Sequence, residues 1–264
     1  MHVVAICNWK EESAELVQAL ANALGITVYE ARLRMFGNGP AVVASFADPQ
    51  PALELAGKLN QSRFATLIFD AAALRSSAGY FIVRRFELKK MSIFIETSDG
   101  QRAEIPYDEV DLLLPCISIV GVSEQKTVIE RKLSIGKTIL SGGIPMTTKV
   151  ERQEAVKSEE RIKVLYLYAG KRSPVIFSQI GMTFDGLGDA MKLSRELNFA
   201  HLISELQRLC TGAVYDDLLL SQTGQTRLLG PGLNSETNLN LAVEVLARCL
   251  RQRDAYGAGS ISNP

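Results

Sequence analysis

Two hydrophobic periods alternate along the N-terminal quarter of the chain. Val3, Val4, Ala5, Ile6 and Cys7 form an unbroken apolar run, the pattern of a buried strand. Ser13 then stands as N-cap before Leu16, Val17, Leu20 and Leu24, which share one helical face, and Gly25 ends that helix. Thr27-Val28-Tyr29-Glu30 has the spacing of a capping box, so a second, short helix starts at once. Gly37-Asn38-Gly39-Pro40 breaks it, and Ala41 to Phe46 reads as a strand. Asp48-Pro49 opens a helix with Ala52, Leu55, Ala56 and Leu59 as its buried stripe, and Phe64 to Phe69 closes the series as a strand. The expected order is strand, helix, helix, strand, helix, strand.

That order, with the segment Leu24-Gly25-Ile26-Thr27-Val28-Tyr29-Glu30-Ala31-Arg32, resembles the C-terminal domain of the bacterial ribosomal stalk protein. The resemblance implies the same small α/β fold. In that family the first helix presents a Lys and an Arg to translation factors. The corresponding positions here are Gln18 and Ala21, so the fold is expected to carry over and that contact surface is not.

Residues 71–79 are small and polar toward their end and read as a linker. From Tyr80 the period becomes two. Phe81 to Leu88 and Ile93 to Glu96 read as strands with Lys89-Lys90 at their turn, and Ser98-Asp99-Gly100 is a hairpin signal. Ala103 to Ile105, Leu112 to Val120, Lys163 to Ala169 and Pro174 to Gln179 continue the strands. Ser194 then caps a helix lined by Phe199, Leu202, Ile203, Leu206 and Leu209. Strands in succession closed by one amphipathic helix predict an antiparallel sheet or barrel plugged by that helix.

The turn Asp99-Gly100 and the run Ile105-Pro106-Tyr107-Asp108-Glu109-Val110 make residues 81–210 resemble a bacterial pleckstrin-homology-like domain. The stretch 124–161 departs from that pattern, because a minimal domain of this kind does not need it. After Gly212 an irregular extension leads to a last helix capped by Ser235, with Leu239, Ala242, Val245, Leu246, Cys249 and Leu250 as its stripe. The expected class is α+β. The expected division is a stalk-like domain at 1–71, a linker at 72–79, and a sheet domain at 80–212 with an insertion at 124–161. An extension at 213–256 and a frayed tail at 257–264 complete it.

Composition narrows the function classes. Of the 264 residues, 47% are apolar, enough for a sizeable core. Lys+Arg and Asp+Glu each number 29, so zero net charge argues against a nucleic-acid coat and does not oppose self-association. No apolar run approaches the ~20 residues of a membrane-spanning helix, and the start of the chain lacks the h-region of a signal peptide, so the cytoplasm is the expected compartment. Cys7, Cys116, Cys210 and Cys249 lack metal-ligand spacing and lie in apolar stretches, so buried reduced thiols are expected rather than a disulfide scaffold.

Candidate chemistry is sparse. Ser134-Ile135-Gly136-Lys137-Thr138 ends like a phosphate-binding loop, but the position that needs the first glycine is Arg131. His2 is terminal, and His201 is expected on the polar side of its helix with Asn198, Glu205 and Arg208. Asp108, Glu109 and Asp111 form an acidic cluster, as do Asp216 and Asp217. Paired carboxylates suit acid–base or cation chemistry, although Glu109 and Asp111 on one strand face are more simply a solvated edge. No catalytic residue, metal ligand or cofactor is assigned. Ile139, Leu140, Ile144, Pro145 and Met146, an apolar run around Gly142-Gly143 between charged flanks, are the candidate partner-binding residues. Lys89 and Lys90 are candidate contacts for an anionic surface, though two lysines at ~1 kcal/mol each do not make a micromolar site.

The expected function is a non-enzymatic cytoplasmic adaptor or regulator acting on a protein partner or a second copy of the chain. The alternative is an enzyme or small-molecule sensor with a pocket between the domains. A third reading is a peripheral binder of anionic membrane. No nucleic-acid partner is expected.

Overall fold

The computed structural model describes residues 1–7, 13–36, 39–72, 79–133, 147–230 and 232–257, with side chains except at 121–159, 235–236 and 253–257. The chain is α+β. It opens with β1 (His2–Ile6), α1 (Ala14–Leu24), α2 (Val28–Met35), β2 (Ala41–Phe46), α3 (Pro49–Gln61) and β3 (Thr66–Asp70), the order read from the sequence. Local chemistry sets the boundaries. The Ser13 hydroxyl accepts from the Leu16 amide, Gly25 ends α1 at φ 65°, and Thr27 and Glu30 complete a reciprocal capping box. Asp48 is the N-cap of α3 without a side-chain hydrogen bond, and Pro49 supplies a preset φ.

β1 is the central strand, antiparallel to both neighbours in the order β2-β1-β3. Its register against β2 shifts between Val4 and Ala5, which leaves Val43 as the extra residue of a bulge. Val4 and Ile6 pack with Val17, Leu20, Met35 and Leu59 of the helices, while Val3, Ala5 and Cys7 enter a different core. Ala21 of α1 is buried.

The rest of the chain supplies β4 (Phe81–Ile82), β5 (Arg85–Leu88), β6 (Ser92–Glu96), β7 (Arg102–Pro106), β8 (Val110–Leu133), β9 (Thr147–Ala169) and β10 (Val175–Ser178). α4 (Arg195–Leu209), β11 (Val214–Tyr215), α5 (Gln222–Leu229) and α6 (Ser235–Gly257) follow. The stretch Phe81 to Leu88, expected as one strand, is two. β4 pairs parallel with β10, whereas β5 pairs antiparallel with β6. The sheets run β11-β8-β9-β10-β4 and β5-β6-β7, and among the described residues no pairing closes them into a barrel. From Ile162 onward β9 is apolar on both faces. Ile162, Val164, Tyr166 and Tyr168 enter one core, and Leu165 and Leu167 enter another with Phe199, Leu202 and Leu206 of α4.

α6 ties the first strands to later parts of the chain. Its Leu241, Ala242, Val243, Val245, Leu246, Ala247 and Cys249 are all buried, a wider face than the expected stripe. They share one core with Val3, Ala5 and Phe69 from the first strands, with Leu112 and Leu114 of β8, and with Leu228 of α5. Met1–Ser118 and Ile162–Pro264 accordingly form one compact unit, and Ile119–Arg161 a second. Of the expected linker, 73–78 lie outside the described residues. The expected insertion 124–161 is strand in its described parts.

The cysteine reading needs correction. Cys7 of β1's end and Cys249 of α6 form a disulfide, with Cα atoms 5.0 Å apart across a separation of 242 residues. Tertiary packing, not spacing, brings them together. Cys116 and Cys210 are free and buried, as expected of all four.

Candidate functional site

Ile139, Leu140, Ile144, Pro145 and Met146, and the loop-like Ser134–Thr138, lie outside the described residues. Lys89 is not a free cation: its Nζ meets Glu104 Oε2 at 2.9 Å and stands 5.3 Å from the Phe94 ring centre. Lys90 is exposed. His201 is half-buried, but Asn198, expected beside it on the polar side, is buried. The Asn198 side chain instead accepts from the Lys192 amide and donates to the Lys192 carbonyl.

The acidic cluster is structural. Arg251 grips Asp111 with two hydrogen bonds of 2.6 and 2.9 Å and stands 5.0 Å from the Tyr168 ring centre. Arg172 meets Glu109 at 2.8 Å, and Arg248 meets Glu244 at 2.6 Å while stacking on Phe69. Of these groups Arg172, Glu244, Arg248 and Arg251 border a cleft of about 490 Å³, and each is held in an ion pair. Asp216 accepts from the Leu218 amide, which fixes a turn. Among the described residues no cluster of His, Cys, Asp and Glu is arranged to hold a metal ion. Burial pushes the Cys116 thiol up to about 12 and the Cys210 thiol up to about 11, so neither is a thiolate nucleophile near neutrality.

Two features of α2 stand out. Its inner face buries Ala31 and Met35. On the outer face Tyr29 and Leu33, with Phe36 just past the C-terminus, are 71%, 55% and 69% exposed. They recur at i, i+4 and i+7, so a second apolar stripe runs along the solvent side. Arg32 and Arg34 make the last turn basic.

The second feature is a cavity of about 430 Å³ between α2, β2 and α5. Leu33, Ala41 and Val42 give it apolar walls, and Glu30, Arg34 and Arg227 give it charge. Arg34 donates from Nη1 to the carbonyl of the bulge residue Val43 at 2.7 Å. The amide and then the hydroxyl of Thr27 hydrogen-bond the Glu30 carboxylate and hold its pKa below the usual range. Gly230 closes the end of α5 on β2. It has φ 68°, and a Cβ there would lie 2.4 Å from the Val42 carbonyl oxygen. Arg227 differs from the other arginines described above. Its Nε is buried without a hydrogen-bond partner.

The sequence carried one signal for this region, the doubled apolar periodicity of Tyr29, Leu33 and Phe36 against Ala31 and Met35. It carried none for Arg227. No protein-family profile, curated protein or solved structure matches the chain. Among the described residues no helix is long and apolar enough to cross a membrane.

Proposed function

We propose that the chain is a non-enzymatic adaptor or regulatory protein that acts through protein contacts, with the outer face of α2 as a docking surface. The observation that carries this reading is the exposed stripe Tyr29, Leu33 and Phe36 beside a basic last turn. Side chains this exposed bury only part of their apolar area in the fold, whereas fully burying each against a partner is worth up to ~1.5–3 kcal/mol before association costs. The size and spacing of the stripe favour a protein partner that offers an apolar segment. The resemblances to the stalk domain and to pleckstrin-homology-like domains, both used as binding modules, agree with this reading by analogy.

The test compares wild-type chain with a Leu33→Asp, Phe36→Asp variant as bait in extracts of the producing cell. A partner retained by the first and lost by the second, at equal melting temperature, supports the reading. Equal recovery by both baits refutes the α2 surface and returns attention to Ile139, Leu140, Ile144, Pro145 and Met146, tested by Leu140→Asp, Ile144→Asp. Sedimentation of the wild type separates a second copy of the chain from a different protein.

A second reading, a small-molecule sensor, has the cavity at Arg227 behind it. The cytoplasmic placement is also a proposal. The Cys7–Cys249 bridge is the chemistry of an oxidising compartment. Alkylation during lysis separates the two: four reactive thiols in the denatured protein for a reducing compartment, two for an oxidising one.

A further inference from the structure

We propose that the cavity between α2, β2 and α5 binds a small monoanion with an apolar body, of the medium-chain carboxylate class, and that the Arg227 guanidinium is its anchor. The inference rests on the sensor reading; it shares Leu33 and Arg34 with the proposed docking face, but Arg227, on which its test turns, lies outside that face.

Arg227 is the first reason. Arg227 is half-buried and its Nε is a buried donor without a partner, a cost that native chains rarely leave uncompensated. Arg172, Arg248 and Arg251 each hold a carboxylate, and Arg34 holds the Val43 carbonyl. Among the described residues Arg227 has no hydrogen bond or ion pair, and its Nε is closed off from water. The half-buried guanidinium lines the cavity, and its open end, not the enclosed Nε, is what a carboxylate in the cavity would meet; a guanidinium is the side chain suited to grip one.

The charge of the lining selects the ligand's charge. Arg34 and Arg227 oppose Glu30, which the Thr27 hydrogen bonds keep ionised, so among the described residues the lining carries one net positive charge. A monoanion neutralises it. A dianion such as a phosphate monoester overfills it and faces the Glu30 carboxylate. Leu33, Ala41 and Val42 select the body: an alkyl chain gains from those walls, and a sugar or peptide amide there loses hydrogen bonds to water. The volume of about 430 Å³ falls among small-ligand sites.

The backbone is shaped around the same place. The bulge at Val43 interrupts the β1–β2 ladder beside the cavity, and Arg34 binds the carbonyl so presented. Gly230 permits α5 to approach Val42 more closely than any side chain would allow. Both devices hold Arg227 and the apolar wall in fixed relation, as a preorganised site requires.

The experiment titrates the full chain with octanoate, octanol and octylamine by calorimetry, and follows the Leu33 and Val42 methyl resonances. The expected result is octanoate binding with shifts at both residues, at least tenfold tighter than octanol, and no octylamine binding. Arg227→Met should lower octanoate affinity at least tenfold, to the level of octanol. If that variant fails to fold, Arg227→Lys is read instead, with a severalfold loss expected. Equal affinity for octanoate and octanol at these methyls overturns the monoanion assignment and leaves a cavity for neutral ligands. No octanoate binding at millimolar concentration overturns the proposal and the sensor reading together. Unchanged octanoate affinity in Arg227→Met removes Arg227 as the anchor and overturns the proposal.

Discussion

Replacing Arg227 with Met should make the ligand-free protein more stable, an unusual direction for a single substitution in a packed region. The Arg227 Nε is buried and unpartnered, so the folded chain gives up its hydration without compensation. Such a donor costs ~1–3 kcal/mol, more when it is charged. Met has a similar reach, keeps the packing of the aliphatic stem, and carries no donor. The expected gain is therefore about 1–3 kcal/mol. For a chain of this size each kcal/mol moves the melting temperature by ~2–4 °C, so a rise of at least ~2 °C should be measurable by circular dichroism. Arg34→Met in the same cavity supplies the control. Arg34 makes a 2.7 Å hydrogen bond to the Val43 carbonyl, so its loss should lower the melting temperature by a comparable amount. Opposite signs for one chemical change at two arginines of one cavity are the signature of the unpartnered charge. A fall in melting temperature for Arg227→Met would refute the reasoning, because it would mean that the guanidinium already has a stabilising partner.

Gly230→Ala, which puts a Cβ 2.4 Å from the Val42 carbonyl oxygen at φ 68°, should cost on the order of 3 kcal/mol in denaturant unfolding; a cost below ~0.5 kcal/mol would show that α5 does not close on β2 as described. Cys7→Ser, Cys249→Ser should lower stability by roughly 2–5 kcal/mol against the unreduced wild type, and equal melting curves would mean that the bridge does not constrain the chain. Burial pushes the Tyr107 hydroxyl up to about 12, above the unfolded value near ~10. Its contribution is fully present below that unfolded value and is lost as pH rises through the folded one. Stability should fall between these limits, and less steeply in Tyr107→Phe; identical alkaline melting profiles would contradict this.

The first helices and strands were legible because their boundaries are chemical as well as periodic. Ser13, Gly25, Thr27 with Glu30, and Pro49 each mark an end by a local hydrogen bond or a fixed dihedral, so the order of β1 to β3 needed no tertiary information. α5 was not legible. Gln222–Leu229 contains a glycine and two threonines, poor helix formers, and is held by packing instead. The Gln225 side chain donates to the Ile117 and Leu219 carbonyls, and Gly224 lies so close to the Leu218 carbonyl that no Cβ fits. The shared core was hidden for a similar reason. A period marks which face of α6 is apolar, but not that it meets both β1 and β9, nor that Cys249 meets Cys7. Of the candidate site, the apolar stripe of α2 was present as a second periodicity. The cavity depends on the Val43 bulge and on α5, neither of which has a sequence signature.

The adaptor account is tested most directly by amide hydrogen exchange of the chain alone and bound to the captured partner. Docking on the outer face of α2 predicts slowed exchange at the amides of Val28–Met35 and around Phe36, with the core strand β1 unchanged. Protection confined to other segments, with Val28–Met35 exchanging as in the free chain, would contradict it.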